Sequence, residues 1–171
     1  MTRSAALAAV FLCLGAGSVA WPQAASAASD AALLARGQYL ASIMDCTGCH
    51  TTGALRGQPD PARYLAGSDV GFEIPDLGIF YPPNLTSDAE TGLGDWTAEQ
   101  IIAAVRSGER PDGRQLVPIM PWPSYGVLTD EDAAALAAFL KSLPALRFQV
   151  PEPVGPGQPA PLPYFSVVVP E

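Results

Sequence analysis

The stretch Met44-Asp45-Cys46-Thr47-Gly48-Cys49-His50 decides how the rest of this 171-residue chain is read. It holds two of the three cysteines and the single histidine, with both sulfurs and the imidazole inside five positions. The third cysteine, Cys13, sits in a different context. Arg3 is followed by the uncharged run from Ser4 to Ala20, and "AASAAS" then offers the small residues of a signal-peptidase site. The apolar run from Ala5 to Ala20 is shorter than the ~20 residues a bilayer span requires. Residues 1–27 therefore read as a cleaved export signal that takes Cys13 and Met1 with it, leaving a periplasmic protein with no membrane span.

Working outward from Cys46, the preceding residues 30–44 place Leu33, Gly37, Leu40 and Met44 at helical spacing, with Asp30 as N-cap. A second helix is expected in "WTAEQIIAAVRSG", where Thr97 and Gln100 form a capping box, Ile101, Ile102 and Val105 a stripe, and Gly108 a stop. A third is expected in "LTDEDAAALAAFLKSLP", capped at Thr129, striped by Leu136, Phe139, Leu140 and Leu143, and ended by Pro144. Residues 51–95 carry seven glycines and five prolines without a sustained period, and read as loop and turns. A loop of that length needs an organising surface, which a large apolar cofactor would supply. From Pro144 to Glu171 there are eight prolines in 28 residues, so the tail is expected to be extended, with "YFSVVV" as a short strand or packing segment.

Composition narrows the partners. The formal net charge is -8, and loss of Arg3 with the leader leaves eight basic residues against seventeen acidic ones. Nucleic acid and anionic membrane surfaces bind through Lys and Arg, so they are poor partners for a chain with one lysine, Lys141. A protein with a basic docking face fits better.

C-x-x-C-H is the attachment pattern of c-type haem. Two intervening residues let both sulfurs reach the two vinyl-derived positions of one porphyrin, and the next residue brings its imidazole beneath the iron. Zinc would need a second Cys/His cluster to close a tetrahedron. A redox-active C-x-x-C belongs in a βαβ setting, and a plain disulfide gives His50 no role. With His50 alone in the chain, bis-histidine ligation is excluded, and methionine is the remaining axial partner. Met1 leaves with the leader and Met44 lies two residues before Cys46, so Met120 is the candidate. It sits in "LVPIMPWPSYG", where Pro118, Pro121 and Pro123 stiffen the backbone.

A helix with "RGQYL", then "CTGCH", a methionine in a proline-rich loop, and a last helix bearing Phe139 resemble class I cytochrome c. The stretches "FYPPNLTSDAETGLGDWTAEQIIAAVRSG" and "MPWPSYGVLTDEDAAALAAFLKSLP" resemble haem modules of the cytochrome subunits of bacterial periplasmic alcohol, aldehyde and sugar dehydrogenases. The resemblance implies an all-α fold in which first and last helices cross, with Gly37 near Phe139 or Leu140. It implies a monohaem domain over residues 28–146 and a Pro-rich tail over 147–171. Tyr81, Asn84, Thr86, Trp96 and Arg114 are the groups it suggests for the haem propionates or the ring, with Trp122 and Tyr125 on the distal wall. One covalent haem c with its iron would be held by Cys46 and Cys49 and ligated by His50 and Met120. A carrier of single electrons follows, with no substrate chemistry, taking them from a periplasmic dehydrogenase and giving them to another cytochrome or a terminal oxidase. Two alternatives are a haem protein with an open distal site for peroxide or a gas, and a non-catalytic subunit of a dehydrogenase complex. Modules of this kind often come several to a chain with a membrane anchor, whereas this chain has one motif.

Overall fold

The computed structural model describes residues 22–170. Met1, Cys13 and most of the expected leader lie outside the described residues. Helix α1 runs Pro22–Ile43, eight residues longer at its start than the pattern suggested, with proline where the fixed φ and missing N–H suit a helix beginning. Two residues beyond its end, Asp45 with a left-handed φ of 56° turns the chain into the single helical turn α2, Cys46–His50. Gly48 allows that turn to close, since a Cβ there would stand 2.3 Å from the Asp45 carboxylate.

Helix α3, Ala98–Ser107, carries the reciprocal Thr97/Gln100 capping box, and Gly108 ends it in the left-handed region at φ 72°. A short helix α4, Trp122–Tyr125, follows Met120. Helix α5, Asp130–Ser142, starts at Thr129, whose side chain accepts from the Asp132 N–H, and buries Leu136, Phe139 and Leu140. Three acidic residues in its first turn favour the helix N-terminus. Among the described elements, helices α1 and α5 make the most extensive contact. They approach closely at Gly37, where a Cβ would be 2.1 Å from the Ala135 carbonyl oxygen and 2.5 Å from Phe139 Cβ. The expected crossing is therefore present, and Gly37 is what permits it. Leu40, Ala41, Ile101, Leu136, Phe139 and Leu140 form the core between α1, α3 and α5. The single lysine, Lys141, reaches from α5 to the carbonyls of Gly94 and Trp96, both at 2.8 Å, tying the loop before α3 to the last helix.

The all-α expectation needs correction. Strand β1, Gly71–Ile74, pairs antiparallel with β2, Gly78–Phe80, and parallel with β3, Tyr164–Phe165. Strands of four, three and two residues are too short to show a period in sequence. The hairpin, with 3-10 turns at Ala54–Arg56 and Pro61–Arg63, organises the segment read as featureless loop.

The tail lies against this hairpin. Asn84 Nδ2 donates to the Leu146 carbonyl at 2.7 Å, Val154 and Ile79 exchange backbone bonds of 2.9 and 2.8 Å, and Tyr81 donates its hydroxyl to the Leu162 carbonyl at 2.8 Å. The rings of Phe72 and Phe165 meet tilted by 35°, their centroids 5.8 Å apart. Of the short strand or packing segment expected for "YFSVVV", the strand forms over Tyr164 and Phe165, which stay 43% and 50% exposed, while Val167, Val168 and Val169 are 78%, 83% and 81% exposed.

Candidate haem site

Helices α2, α3 and α5 and the Met120 loop converge on a cavity of about 630 Å³, lined by Cys46, Cys49 and His50 of α2, by Met120, and by apolar side chains of α3 and α5. The volume lies in the range of cofactor pockets, about 300–1,000 Å³. A second hollow of about 520 Å³ on the outer side of α2, lined by Thr47, Gly48, Thr51 and Tyr64, contains neither cysteine nor His50. The chemistry-bearing residues select the first.

The two cysteines are free and partly exposed, not joined in a disulfide. Burial pushes the Cys46 thiol up to about 11 and raises Cys49 as well, with the Asp45 carboxylate acting in the same direction on both. Such thiols are poor thiolates at neutral pH, unlike the low-pKa cysteines of thiol-exchange sites. Among the described residues, no cluster of three or more His, Cys, Asp or Glu is placed to hold a bare metal ion.

His50 is 7% exposed, and its Nδ1 lies 2.8 Å from the Pro83 carbonyl oxygen. A carbonyl can only accept, so Nδ1 carries the proton and Nε2 keeps its lone pair. Burial holds the imidazole below its ordinary pKa, partly offset by that hydrogen bond, so the ring is neutral near pH 7. A neutral imidazole with an oriented Nδ1–H is the form that binds a metal through Nε2. The identity of the carbonyl was not legible in sequence, because nothing in "YPPN" sets its distance to a residue 33 positions away.

Met120 is half-buried, packs against the core and lines the cavity. Its loop is pinned on both sides. Trp122 Nε1 donates to the Leu116 carbonyl at 3.1 Å, and Tyr125 donates its hydroxyl to the Met44 carbonyl at 2.6 Å. Tyr125 lines the cavity as expected; burial, then the nearby Cys46, Cys49 and Asp45, push its hydroxyl up to about 12. Trp122 packs instead on Gly108. The other methionine near the motif, Met44, also lines the cavity, next to Cys46.

The remaining candidates separate. Tyr81 and Asn84 line the cavity, but their polar groups are already engaged: the Tyr81 hydroxyl with Leu162, and Asn84 with Thr91 and Leu146 as donor and Thr86 as acceptor. These bonds fasten the tail, and both residues remain part of the cavity lining. Thr86, fully buried, belongs to the same network. Trp96 lines the cavity and is covered by the Arg110 guanidinium, 5.2 Å from the ring centroid. Arg114 lines it too, with a side chain 46% exposed and a loose pairing to Asp112 at 3.8 Å. Arg110, absent from the sequence-based candidates, is the more enclosed of the two at 22%. Two arginines four positions apart in "ERPDGR" look alike until burial distinguishes them. Also unforeseen are Gln149 to Pro153, which bring the tail into the cavity wall.

Cavity, sulfurs and imidazole fit a covalently tethered haem: a mostly apolar chamber, two thiols and a lone-pair nitrogen at one wall, a thioether elsewhere in the lining, and two guanidinium groups suited to carboxylates.

The family model described as Cytochrome c matches residues 34–144. Among curated proteins, the cytochrome c subunit of the quinone alcohol dehydrogenase of Gluconobacter oxydans is 41% identical over 111 residues, covering 65% of this chain and 21% of that subunit. The fructose dehydrogenase cytochrome subunit of Gluconobacter japonicus is 38% identical over 127 residues, covering 70% and 24%. The gluconate 2-dehydrogenase cytochrome c subunit of Pantoea cypripedii is 38% identical over 128 residues, covering 75% and 27%. The chain spans about a fifth to a quarter of the length of these relatives. No helix among the described residues is long and apolar enough to cross a membrane. With the match running through the C-x-x-C-H turn, the crossing helices and the Met120 loop, the chain belongs to the cytochrome c family.

Proposed function

We propose that this chain is a monohaem c-type cytochrome that passes single electrons from a periplasmic dehydrogenase to another cytochrome or a terminal oxidase. The observation that carries the reading is the shared lining of one cavity by Cys46, Cys49, His50 and Met120, with His50 oriented by Pro83. The relatives, which are cytochrome subunits of dehydrogenases, support the electron-transfer role and the choice of donor. Family membership implies covalently bound haem c with its iron, and the single C-x-x-C-H motif and single histidine support one haem per chain. When bound, the iron supplies the one-electron chemistry by changing between ferrous and ferric.

The chain's own residues do the rest. Cys46 and Cys49 would tether the ring through thioethers, so the cofactor would stay through every redox cycle. His50 would offer Nε2 to the iron, and its bond to Pro83 fixes the imidazole and raises its donor strength. Met120 would offer a neutral thioether. Two such neutral ligands would favour exchange of electrons over binding of oxygen or peroxide. Ile101, Val105, Leu136 and Leu140 exclude water, which disfavours the more highly charged oxidised state and raises the potential. Arg110, stacked on Trp96, is better enclosed than Arg114 to meet haem carboxylates.

Residues 1–27 act as a cleaved export signal, residues 28–146 as the haem domain, and 147–171 as its tail. A second reading, that the chain is a permanent electron-transfer subunit of a dehydrogenase, draws on the same relatives. Copurification of a large redox enzyme with the full chain would favour it over a free carrier.

The test is the visible spectrum of the exported protein, oxidised and reduced, for wild type and Met120→Ala. Wild type should be low-spin in both states with the sulfur-to-iron charge-transfer band, and only the variant should lose that band and become high-spin. A wild type that is already high-spin and binds carbon monoxide readily would sink the carrier reading.

A further inference from the structure

The family match ends at Pro144, yet the chain does not leave the domain there. It runs across the hairpin, contributes Gln149 to Pro153 to the cavity wall, and ends its contacts at β3. The domain surface beneath it is shaped to receive it. A Cβ on Gly67 would stand 2.6 Å from Val150 Cγ1, and one on Gly78 would stand 2.0 Å from the Val154 carbonyl oxygen. The segment is held on both sides of the cavity: before it by Leu146 on Asn84, after it by Val154 on Ile79 and by Leu162 on Tyr81. Its composition suits the task. Pro151 and Pro153 have no N–H to leave unpaired against an apolar cavity, and proline-rich chain loses little entropy on being laid down.

We infer that Gln149–Phe165 is an intramolecular strap that shuts one side of the haem cavity, so that the chain beyond the family domain sets how far solvent reaches the haem and holds its potential up. The inference rests on the haem reading above, and goes beyond it by assigning work to a segment that the family match does not cover. The physical link is solvent exposure. Water admitted to the cavity stabilises the more charged oxidised state, so opening the strap lowers the potential. Ser166 to Pro170 take no part, since Val167 to Val169 stand in solvent.

The experiment compares three haem-loaded proteins: the full chain, a chain ending after Phe148, and a chain ending after Phe165. Ending after Phe148 keeps the Leu146 and Phe148 bonds to Asn84 and Thr91 that belong to the domain. The midpoint potential and the rate of reduction by ascorbate are read for each. The chain ending after Phe148 should show a lowered potential and, because the opened cavity lets a small reductant approach closely enough to outweigh the lost driving force, a several-fold faster reduction, and the one ending after Phe165 should match the full chain. Should the shorter chain fail to fold, the full-length double variant Val154→Pro with Tyr81→Phe removes two fastenings while keeping the core, and should shift both readouts the same way. Truncated or loosened protein with the potential and reduction rate of the full chain overturns the strap, as does a full effect from removing residues 166–171 alone. A full chain without a low-spin haem spectrum would instead overturn the haem reading itself, so the two failures are distinguishable.

Discussion

Substituting Gly37 with alanine tests the packing on which the whole cavity rests. The added Cβ would stand 2.1 Å from the Ala135 carbonyl oxygen and 2.5 Å from Phe139 Cβ, and the first of these is backbone, which cannot rotate aside. Relief requires α1 and α5 to separate by more than ~1 Å, and a gap of about 0.5–1 Å already forfeits a quarter to a half of each dispersion contact across it. The contacts at stake join Leu40 and Ala41 to Leu136, Phe139 and Leu140. Overpacking costs about 1–3 kcal/mol, and a clash with backbone belongs at the top of that range. Alanine returns about 1 kcal/mol through its helix propensity. The net expectation is a loss of about 2 kcal/mol, a fall in Tm of roughly 4–8 °C for a chain of this size. Urea and thermal unfolding followed by far-ultraviolet circular dichroism would measure it, with the exposed Gln38→Ala on the same helix expected within about 0.5 kcal/mol of wild type. If Gly37→Ala were as stable as wild type, propensity alone would govern this position, and the close crossing of α1 and α5 would not be what the glycine serves.

Other perturbations follow from single contacts. Asn84→Ala leaves the buried Thr86 N–H without its acceptor and takes from the Leu146 carbonyl its shorter hydrogen bond, and should cost about 2–3 kcal/mol, read by urea unfolding, with a carboxylate at that position restoring only the acceptor because it cannot donate. The Arg36 guanidinium, hydrogen-bonded to Asp132, holds that carboxyl below its usual range, so the pair stabilises fully above about pH 4 and fades as pH falls through the depressed value. Asp132→Asn should flatten part of the acid limb of a stability-versus-pH curve and leave the remainder, since Asp88 and Asp112 are shifted the same way by their hydrogen bonds. In denatured holoprotein, mass spectrometry should find one haem added and no thiol open to alkylation in the mature chain. A single reactive thiol, Cys13, would appear only if the leader were retained.

The local chemistry of this protein was legible because it depends on neighbours in sequence. The C-x-x-C-H turn, the Thr97 and Thr129 caps, the Gly108 stop and the stripes of α3 and α5 are each set within a few residues, where side-chain hydrogen bonding and periodicity act directly. Elimination among three methionines left Met120 as the candidate, and the fold brings that residue into the cavity lining. What sequence could not supply were relations between distant residues. Which carbonyl meets His50, which of Arg110 and Arg114 is enclosed, and where the tail lies all depend on separations that no local pattern encodes. The donors of Tyr81 and Asn84 looked free for a haem in the sequence, and the fold commits them to Leu162 and Leu146. The sequence by itself therefore determined the cofactor chemistry and the helices that carry it, because those are short-range properties of the chain. Only the tertiary structure decided how the cavity is closed, because a buried hydrogen bond goes to whatever group packing brings within reach, and packing is a property of the whole chain.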